Sequence, residues 1–205
     1  MHRERPFIPV DALLEAYRSG WFPMADAETG EVAFYTVGIR CVIPLDERFR
    51  VSDSLARRVR SGRFEIRIDS EFAQVIRMCA TERADSGTWI DETIIRSFER
   101  LHDAGHAHSV EAWRGGQLVG GLYGVAIGGA FFGESMFSLP QRGGTDASKV
   151  CLVHLVHRLR ARGFSLLDSQ YSNPHIMRFG AQEIPESEYL ERLAAATGSP
   201  ASFCG

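Results

Sequence analysis

Two apolar runs separated by a Gly-Gly pair constrain the fold of this chain more than any other feature. The runs are Leu118–Ile127 and Ala130–Phe137, and the pair is Gly128-Gly129. Both glycines can take a positive φ without steric cost, so the pattern predicts a tight β-hairpin. The second run contains one acid, Glu134. Because an unpaired buried carboxylate is costly, we expect Glu134 to have a polar partner or a functional role.

The composition is that of a soluble globular protein. Of the 205 residues, 44% are hydrophobic and 24% are charged, which fits one compact domain or a small domain joined to a larger one. No apolar run approaches the roughly 20 residues that cross a bilayer, and the first ten residues lack a signal-peptide core. The sequence therefore predicts a cytoplasmic protein without a membrane partner.

The cysteines and histidines do not form a recognisable metal-binding pattern. His106 and His108 would share one face of a strand, but no third ligand has suitable local spacing, so a structural role is favoured. We expect reduced, mostly packed thiols, no metal and no cofactor. The four cysteines, widely separated and without a C-x-x-C pair, are Cys41, Cys79, Cys151 and Cys204.

Helical and strand-like patterns alternate along the chain and predict an α/β (α+β) fold with a mostly antiparallel central sheet. Residues 1–63 are predicted to form a small N-terminal α/β domain, and residues 64–205 a larger domain. Within the first domain, Val32–Tyr35 and Cys41–Pro44 are expected to form a hairpin around Gly38. The tail from Thr197 onward is expected to be loose.

Asp168 and Gln170 are the polar side chains that best match Glu134. Glu134 and Asp168 both follow apolar strand-like segments, and ligands collect at strand ends in α/β sheets. Gln170 lies two residues after Asp168, so both side chains leave the same face of a strand. The alternative is that each carboxylate caps a nearby backbone amide. Trp89, after a Gly-Thr turn, could stack on a base or could simply pack in the core.

The cations are almost all arginines, and Lys149 is the only lysine. Arg57, Arg58 and Arg60 lie in an arginine-rich segment that suits phosphate binding, although a solvated helix face would look similar. The segment Gln141–Lys149 resembles a phosphate-binding turn before a helix, and Lys149 could bind an anion there. Acyltransferases that use acetyl-CoA have a similar turn before a helix, but Asp146 in this chain would repel the pyrophosphate of acetyl-CoA.

Several motifs together resemble the leucyl/phenylalanyl-tRNA–protein transferase family, over most of the chain from about Leu13 to Leu193. They are Gly87-Thr-Trp-Ile, Leu101-His-x-x-Gly-x-Ala-His-Ser-Val-Glu111, Leu118-Val-Gly-Gly-Leu-Tyr-Gly-Val, Phe132-Gly-Glu-Ser-Met-Phe-Ser138, Ala147-Ser-Lys149 and Asp168-x-Gln170.

The resemblance implies a GNAT-like acyltransferase domain after a small N-terminal domain. It implies transfer of Leu or Phe, with Met as an alternative, from aminoacyl-tRNA to proteins that begin with Arg or Lys, which marks them for N-degron degradation. It also implies a monomer with no cofactor. An aminoacyl ester is already activated, so the enzyme mainly positions the amine and stabilises the oxyanion.

The resemblance also implies roles for individual residues. Asp168 and Gln170 occupy catalytic positions, and Glu134 holds the aminoacyl end. Arg57, Arg58 and Arg60 would contact the acceptor stem, together with Lys149. Trp89 would stack near the terminal adenosine. The remaining substrate-binding positions are Leu122, Phe131, Ser135, Met136, Leu152, Leu155, Leu159 and Leu167.

The chain departs from the family pattern in its N-terminal part. The usual Trp-Trp-Ser-Pro-Asp-Pro-Arg run is replaced by Phe34–Arg40, a longer N-terminal segment is absent, and the loop before Ala147 has extra residues. These differences affect adenosine docking and substrate choice more than the reaction. Two alternatives remain: a GNAT-type enzyme that uses acyl-CoA or another acyl donor, and a non-catalytic module that binds tRNA or N-degrons.

Overall fold

The computed structural model describes residues 6–26, 29–81 and 88–204. Gly87, the first residue of one motif above, lies outside the described residues. The helices are α1 (Val10–Arg18), α2 (Asp53–Arg60), α3 (Phe72–Thr81), α4 (Glu92–Asp103), α5 (Ala147–Ala161), α6 (Pro174–Met177) and α7 (Glu186–Thr197). The strands are β1 (Phe22–Ala25), β2 (Val32–Tyr35), β3 (Ile39–Val42), β4 (Glu65–Ile68), β5 (Ala107–Arg114), β6 (Gln117–Ile127), β7 (Ala130–Ser138), β8 (Leu166–Asp168) and β9 (Gln182–Pro185).

A seven-stranded sheet forms the centre of the molecule, in the order β4-β5-β6-β7-β8-β3-β9. The β7–β8 pair is parallel and the other pairs are antiparallel. The expectation of an α/β fold with a mostly antiparallel sheet is therefore confirmed. Helices α1, α3, α4 and α7 pack on one face, and α2, α5 and α6 pack on the other.

The predicted hairpin between Val32–Tyr35 and Cys41–Pro44 is wrong. β2 pairs with β1 in a separate two-stranded sheet, while β3 pairs with β8 and β9. The physical reason is burial: Arg40, Cys41 and Val42 are all buried, whereas Ala33, Phe34 and Tyr35 of β2 are exposed. The domain boundary after residue 63 stays a prediction, and the large sheet extends across it because β3 is one of its inner strands.

The predicted hairpin around Gly128-Gly129 is confirmed, with Ile127 opposite Ala130. Only Gly128 has a positive φ, +53°. A side chain at Gly128 would meet the carbonyl oxygens of Ala196, Thr197 and Ser199 at 2.5–2.9 Å. The hairpin turn therefore packs directly against the C-terminal end of α7.

The tail, expected to be loose, is ordered over its described residues 198–204. Phe203 is 2% exposed in the core, and its carbonyl oxygen accepts hydrogen bonds from Arg158 Nε (3.2 Å) and Nη2 (2.7 Å). The Arg158 guanidinium also lies 4.7 Å from the centre of the Phe203 ring. A single buried aromatic residue thus fixes a segment whose polar composition suggested disorder.

None of the helices in the described part of the chain combines the length and the apolar composition needed to cross a bilayer.

We expect Gly128→Ala to destabilise the protein more than Gly62→Ala. Both glycines have a positive φ, +53° and +61°, but nothing lies within 4 Å of a Cβ at Gly62. A left-handed Ala costs about 1–2 kcal/mol, and the clash at Gly128 adds about 1–3 kcal/mol. Urea unfolding measures both variants, and equal losses would show that the turn does not need the close approach to α7.

Candidate active site at the Glu134 bulge

Glu134 lies on a β-bulge in β7. Tyr123 pairs with Ser135 and the next residue, Gly124, pairs with Gly133, so Glu134 is the extra residue between them. The strands approach so closely here that a Cβ on Gly124 would lie 2.2 Å from the Phe132 carbonyl oxygen. A bulged residue leaves the regular alternation of side chains, and its side chain can be redirected. The bulge explains how a strand in the core presents an acid.

The Glu134 carboxyl group has two polar neighbours from distant parts of the chain. The Tyr17 hydroxyl, on the buried face of α1, donates a hydrogen bond of 2.7 Å to Glu134 Oε1. The Gln170 amide lies 3.3 Å from the same oxygen. The expectation that Glu134 needs a polar partner is confirmed.

We assign the Gln170 amide from its hydrogen bonds. With the nitrogen towards the backbone, it donates to the carbonyl oxygens of Gly133 (2.8 Å) and Ser169 (3.0 Å). The amide oxygen then faces Glu134 Oε1 at 3.3 Å. Because an amide oxygen only accepts, this contact is a hydrogen bond when Glu134 carries a proton.

Burial independently favours the protonated form of Glu134. Desolvation raises the pKa of Glu134 to about 8; the nearby Asp168 charge adds to this shift, while the Tyr17 hydrogen bond and Arg40 oppose it. Desolvation, followed by the influence of Glu134, also raises the pKa of Tyr17 well above its ordinary value, so Tyr17 remains a donor. Desolvation therefore favours the carboxylic acid over the carboxylate at this site.

Asp168, at the end of β8, has both carboxylate oxygens occupied. Its Oδ1 accepts from Arg40 Nε (3.0 Å) and from the Gln170 backbone N–H (2.8 Å). Its Oδ2 accepts from Arg40 Nη2 (2.7 Å) and from the Tyr189 hydroxyl (2.8 Å). The side chain is 0% exposed. Asp168 therefore holds Gln170 in its left-handed backbone conformation, φ +55°, and the catalytic role expected for Asp168 stays a prediction.

Arg40 is a site residue whose role sequence reasoning missed. It lies on β3, is 1% exposed, and packs between the rings of Phe22 (4.8 Å) and Tyr189 (4.4 Å). Its Nη1 donates to the Gly20 carbonyl oxygen at 3.0 Å. The sequence feature that could have identified Arg40 is its position directly before the apolar segment Cys41–Ile43. It is also the last residue of the Phe34–Arg40 run, which departs from the family pattern.

An apolar pocket opens beside Glu134. Six of the predicted substrate-binding residues line it: Leu122, Ser135, Met136, Leu152, Leu155 and Leu167. Ile43 and Ile176 add to the apolar wall, and Glu134 and Asn173 lie on its polar side. Ser135 Oγ is buried and has no hydrogen-bond partner among the described residues. The pocket thus combines an apolar interior with an unsatisfied hydroxyl.

Three predicted substrate-binding residues do not line this pocket. Phe131 and Leu159 are fully buried behind it, and the Phe131 ring packs 5.4 Å from the Phe203 ring. Both shape the pocket from behind because the core encloses them. Trp89 packs against the core on the other face of the sheet, and its carbonyl oxygen accepts from the Ala25 N–H. A stacking role for Trp89 stays a prediction.

Two of the predicted tRNA-binding cations, Arg58 and Lys149, lie at the start of α5. Asp146 pairs with Lys149 at 2.8 Å and with Arg58 at 3.2 Å, so these two cations already have an anion. Arg57 and Arg60 are exposed and form no ion pair among the described residues. Lys149 precedes the pocket residue Leu152 by three residues, about 4.5 Å along the helix axis. The cationic surface therefore begins about one helical turn from the pocket.

A larger surface cleft, of about 520 Å³, lies near α3 and α4. Its charged groups neutralise each other: Arg77 pairs with Glu92 and Glu99, and Arg96 pairs with Glu92. It has neither the apolar wall nor the protonated acid of the Glu134 pocket.

Sequence comparisons agree on one family. The model described as "Leucyl/phenylalanyl-tRNA protein transferase" matches residues 42–194, and the model of its N-terminal domain matches residues 8–37. A leucyl/phenylalanyl-tRNA–protein transferase from Rubrobacter xylanophilus is 56% identical over 190 residues, covering 92% of this chain and 95% of the relative. One from Chlorobaculum parvum is 50% identical over 197 residues, covering 96% and 99%.

Solved structures give weaker similarities. A ribosomal-protein-alanine N-acetyltransferase from Brucella melitensis has a TM-score of 0.42 at 14% identity, over 56% of this chain and 86% of the other. L-PGS from Bacillus licheniformis has a TM-score of 0.45 at 13% identity, over 80% and 51%.

We expect Arg40→Met to lower the free energy of unfolding by about 3–5 kcal/mol, because it leaves the buried Asp168 charge without its cation. The double variant Arg40→Met/Asp168→Asn removes both charges and should be more stable than Arg40→Met alone. A double-mutant cycle in urea measures this coupling. If the two substitutions were simply additive, Arg40 would not be the ion-pair partner that Asp168 requires.

We expect Glu134→Gln to change the pH dependence of stability. The folded protein holds the Glu134 proton up to about pH 8, whereas the unfolded chain releases it near the ordinary pKa of about 4.3. Between these values the folded state binds more protons at Glu134, so the Glu134 contribution to the free energy of unfolding falls as pH rises and levels off above pH 8.

Urea unfolding at several pH values should show Glu134→Gln gaining stability relative to wild type across this window. The exposed Glu191→Gln is the matched control and should follow the wild-type profile. A constant difference between Glu134→Gln and wild type at every pH would contradict the protonated Glu134.

Proposed function

Because this chain belongs to the leucyl/phenylalanyl-tRNA protein transferase family, we propose that the Glu134 site transfers leucine or phenylalanine from aminoacyl-tRNA to protein N-termini. The chain is an aminoacyltransferase: the family match and the relatives at 49–56% identity cover nearly all of it. The single observation that carries the assignment of this site is a carboxyl group, Glu134, held between Tyr17 and Gln170 beside an apolar pocket.

The reaction exchanges an ester for an amide. The acceptor amine nitrogen bonds to the aminoacyl carbonyl carbon, and the bond from that carbon to the ribose oxygen breaks. The amine loses one proton and the ribose oxygen gains one. A residue that can donate a proton and then accept one serves both needs, and Glu134 with a pKa of about 8 is suited to this at neutral pH.

We assign Glu134 as the group that donates its proton to the departing ribose oxygen and then accepts the proton released by the amine. Tyr17 holds the carboxyl group in place through its 2.7 Å hydrogen bond. The Gln170 amide, fixed by the Gly133 and Ser169 carbonyl oxygens, presents its oxygen to the site and can orient the amine. Asp168 and Arg40 fix Gln170 and do not need to touch the substrate.

The pocket next to Glu134 supports an apolar amino-acid side chain as its occupant. Its wall is built mainly from leucines and isoleucines, which offer no partner to a polar or charged side chain and so reject one. Ser135 Oγ, buried without a protein partner, is placed to hydrogen-bond a polar backbone atom of the aminoacyl group. Leucine and phenylalanine, with methionine as an alternative, satisfy these conditions.

The cations around α5 support binding of the tRNA acceptor stem. Arg57 and Arg60 are exposed and can contact phosphates. Arg58 and Lys149 can exchange Asp146 for a phosphate oxygen at modest cost, because their ion pairs are partly exposed to solvent and therefore weak. The same Asp146 argues against the alternative function, an acyltransferase that uses acyl-CoA, because its carboxylate lies where a pyrophosphate would approach the α5 N-terminus. A non-catalytic module, the second rival, would not need a protonated acid beside the pocket.

Exposed aromatic rings near β1 and β2 offer stacking surfaces for the terminal adenosine. Trp21, Phe34 and Tyr35 are 36–43% exposed. Tyr171, directly after Gln170, is 48% exposed and packs edge-on against Phe22. Phe34 and Tyr35 occupy the run where the family pattern has tryptophans, so we propose that they take over this role.

The acceptor proteins begin with Arg or Lys in our proposal, the protein acts as a monomer in the cytoplasm, and transfer marks the acceptor for N-degron degradation. These statements rest on the family. A peptide series with N-terminal Arg, Lys, Ala or Asp tests the acceptor preference directly.

The decisive experiment measures transfer of radiolabelled Leu from Leu-tRNA to a peptide that begins with Arg. We expect wild type to transfer, Glu134→Gln to lose roughly 100-fold in rate, and the exposed Glu191→Gln to match wild type. Acyl-CoA turnover without transfer from Leu-, Phe- or Met-tRNA would support the acyl-CoA enzyme instead. Tight tRNA binding without transfer, unchanged by Glu134→Gln, would support the binding module.

We expect Leu155→Phe to change the choice of amino acid. The larger side chain fills part of the pocket, so Phe transfer should fall more than Leu transfer, and the ratio of their kcat/KM values should drop about tenfold or more. Leu190→Phe, at an exposed position of α7, is the control and should leave the ratio unchanged. An unchanged ratio in Leu155→Phe would place the amino-acid side chain elsewhere.

A further inference from the structure

Asp69, His108 and Cys204 bring three potential metal-ligand atoms together. The His108 Nδ1 atom lies 2.8 Å from Asp69 Oδ2. The Cys204 Sγ atom lies 3.7 Å from that oxygen and 3.8 Å from His108 Nδ1. These residues come from the end of β4, from β5 and from the tail, so the fold alone assembles the group. We call it the tail cluster.

The tail is held so that Cys204 stays at this position. Phe203, the preceding residue, is buried, and its ring stacks on the His108 ring at 4.3 Å. Arg158 donates two hydrogen bonds to the Phe203 carbonyl oxygen. On the other side, Asp69 has a left-handed backbone, φ +53°, and its Oδ1 accepts from the Ser109 N–H at 2.7 Å. All three ligands are therefore positioned by neighbours outside the cluster.

The donor set suits zinc. Zinc binds Cys sulfur at about 2.3 Å and His nitrogen or carboxylate oxygen at about 2.0–2.2 Å, so tetrahedral ligand atoms lie about 3.3–3.6 Å apart. The two distances to sulfur, 3.7 and 3.8 Å, lie within a few tenths of an ångström of these values. The nitrogen–oxygen distance of 2.8 Å is about 0.5 Å shorter than a tetrahedral site requires, so Asp69 and His108 move slightly apart when the metal binds. A soft sulfur with one nitrogen and one oxygen does not suit magnesium or calcium, which prefer oxygen alone.

We propose that the tail cluster binds a zinc-class divalent cation through Asp69, His108 and Cys204, with water in the fourth position. The metal takes the place of the hydrogen between Asp69 and His108: the single imidazole proton of His108 moves from Nδ1 to Nε2, Nδ1 binds the metal, and the Cys204 thiol releases its proton to solvent. The bound cation joins the tail to the β4–β5 edge of the sheet.

The cleft at the tail cluster shares no lining residue with the Glu134 pocket. The proposal is therefore independent of the transfer reaction.

His106 provides a matched control. It lies two residues before His108 on the same side of the sheet and lines the same cleft, but it is not one of the clustered ligand atoms. The sequence favoured a structural role for His106 and His108 over a shared metal site; in this proposal His108 binds a metal with Asp69 and Cys204 instead, and His106 takes no part.

Isothermal titration of the untagged, metal-free full-length protein with zinc chloride tests the proposal. We expect one zinc per chain in wild type and a rise in Tm with zinc, because a ligand that binds only the folded state stabilises it. Cys204→Ala and Asp69→Asn should each weaken binding at least tenfold and remove the Tm rise. His106→Asn should bind like wild type, and Cys204→His, which restores a ligand, should recover much of the affinity.

Cobalt provides a spectroscopic test of the sulfur ligand. A thiolate-to-cobalt charge-transfer band should appear in wild type and be absent in Cys204→Ala. The proposal is overturned if wild type binds no stoichiometric zinc, or if zinc affinity is unchanged in Cys204→Ala and Asp69→Asn. It is overturned equally if His106→Asn loses as much affinity as those two variants.

Discussion

The buried ion pair between Arg40 and Asp168 is the interaction on which the site depends. It joins β3, from the N-terminal part of the chain, to β8, and Tyr189 of α7 completes it. Two buried charges are tolerated only when they are paired and all their hydrogen bonds are made. Since Asp168 also holds the Gln170 N–H, the position of the Gln170 amide beside Glu134 depends on an arginine from another segment.

The second constraint is the protonation of Glu134. A carboxylate at this bulge would be poorly solvated and would face the Gln170 oxygen, so the neutral acid is favoured. Transfer from an ester to an amine requires proton movement near neutral pH, and a carboxylic acid with an ordinary pKa would already have lost its proton. The bulge and the surrounding apolar wall desolvate this carboxyl group and raise its pKa, whereas the Tyr17 hydrogen bond opposes that rise.

The same core that encloses the pocket also orders the C-terminal tail. Phe203 packs near Phe131, behind the pocket, and holds Cys204 beside His108 and Asp69. The central hairpin turn packs against the end of α7 through Gly128. Features that are remote in sequence are thus coupled by shared packing on one sheet.

The sequence by itself determined the elements whose pattern is local. The period of apolar residues and the Gly128-Gly129 pair specify the hairpin, and the motifs around Glu134 and Asp168-x-Gln170 identify the family. Only the tertiary structure decided what depends on distant partners: the bulge at Glu134, the placement of β3 in the large sheet, the Arg40 ion pair and the ordering of the tail by Phe203. Local patterns record which face of an element is apolar, but hydrogen bonds, desolvation and protonation depend on neighbours that the fold brings from elsewhere in the chain.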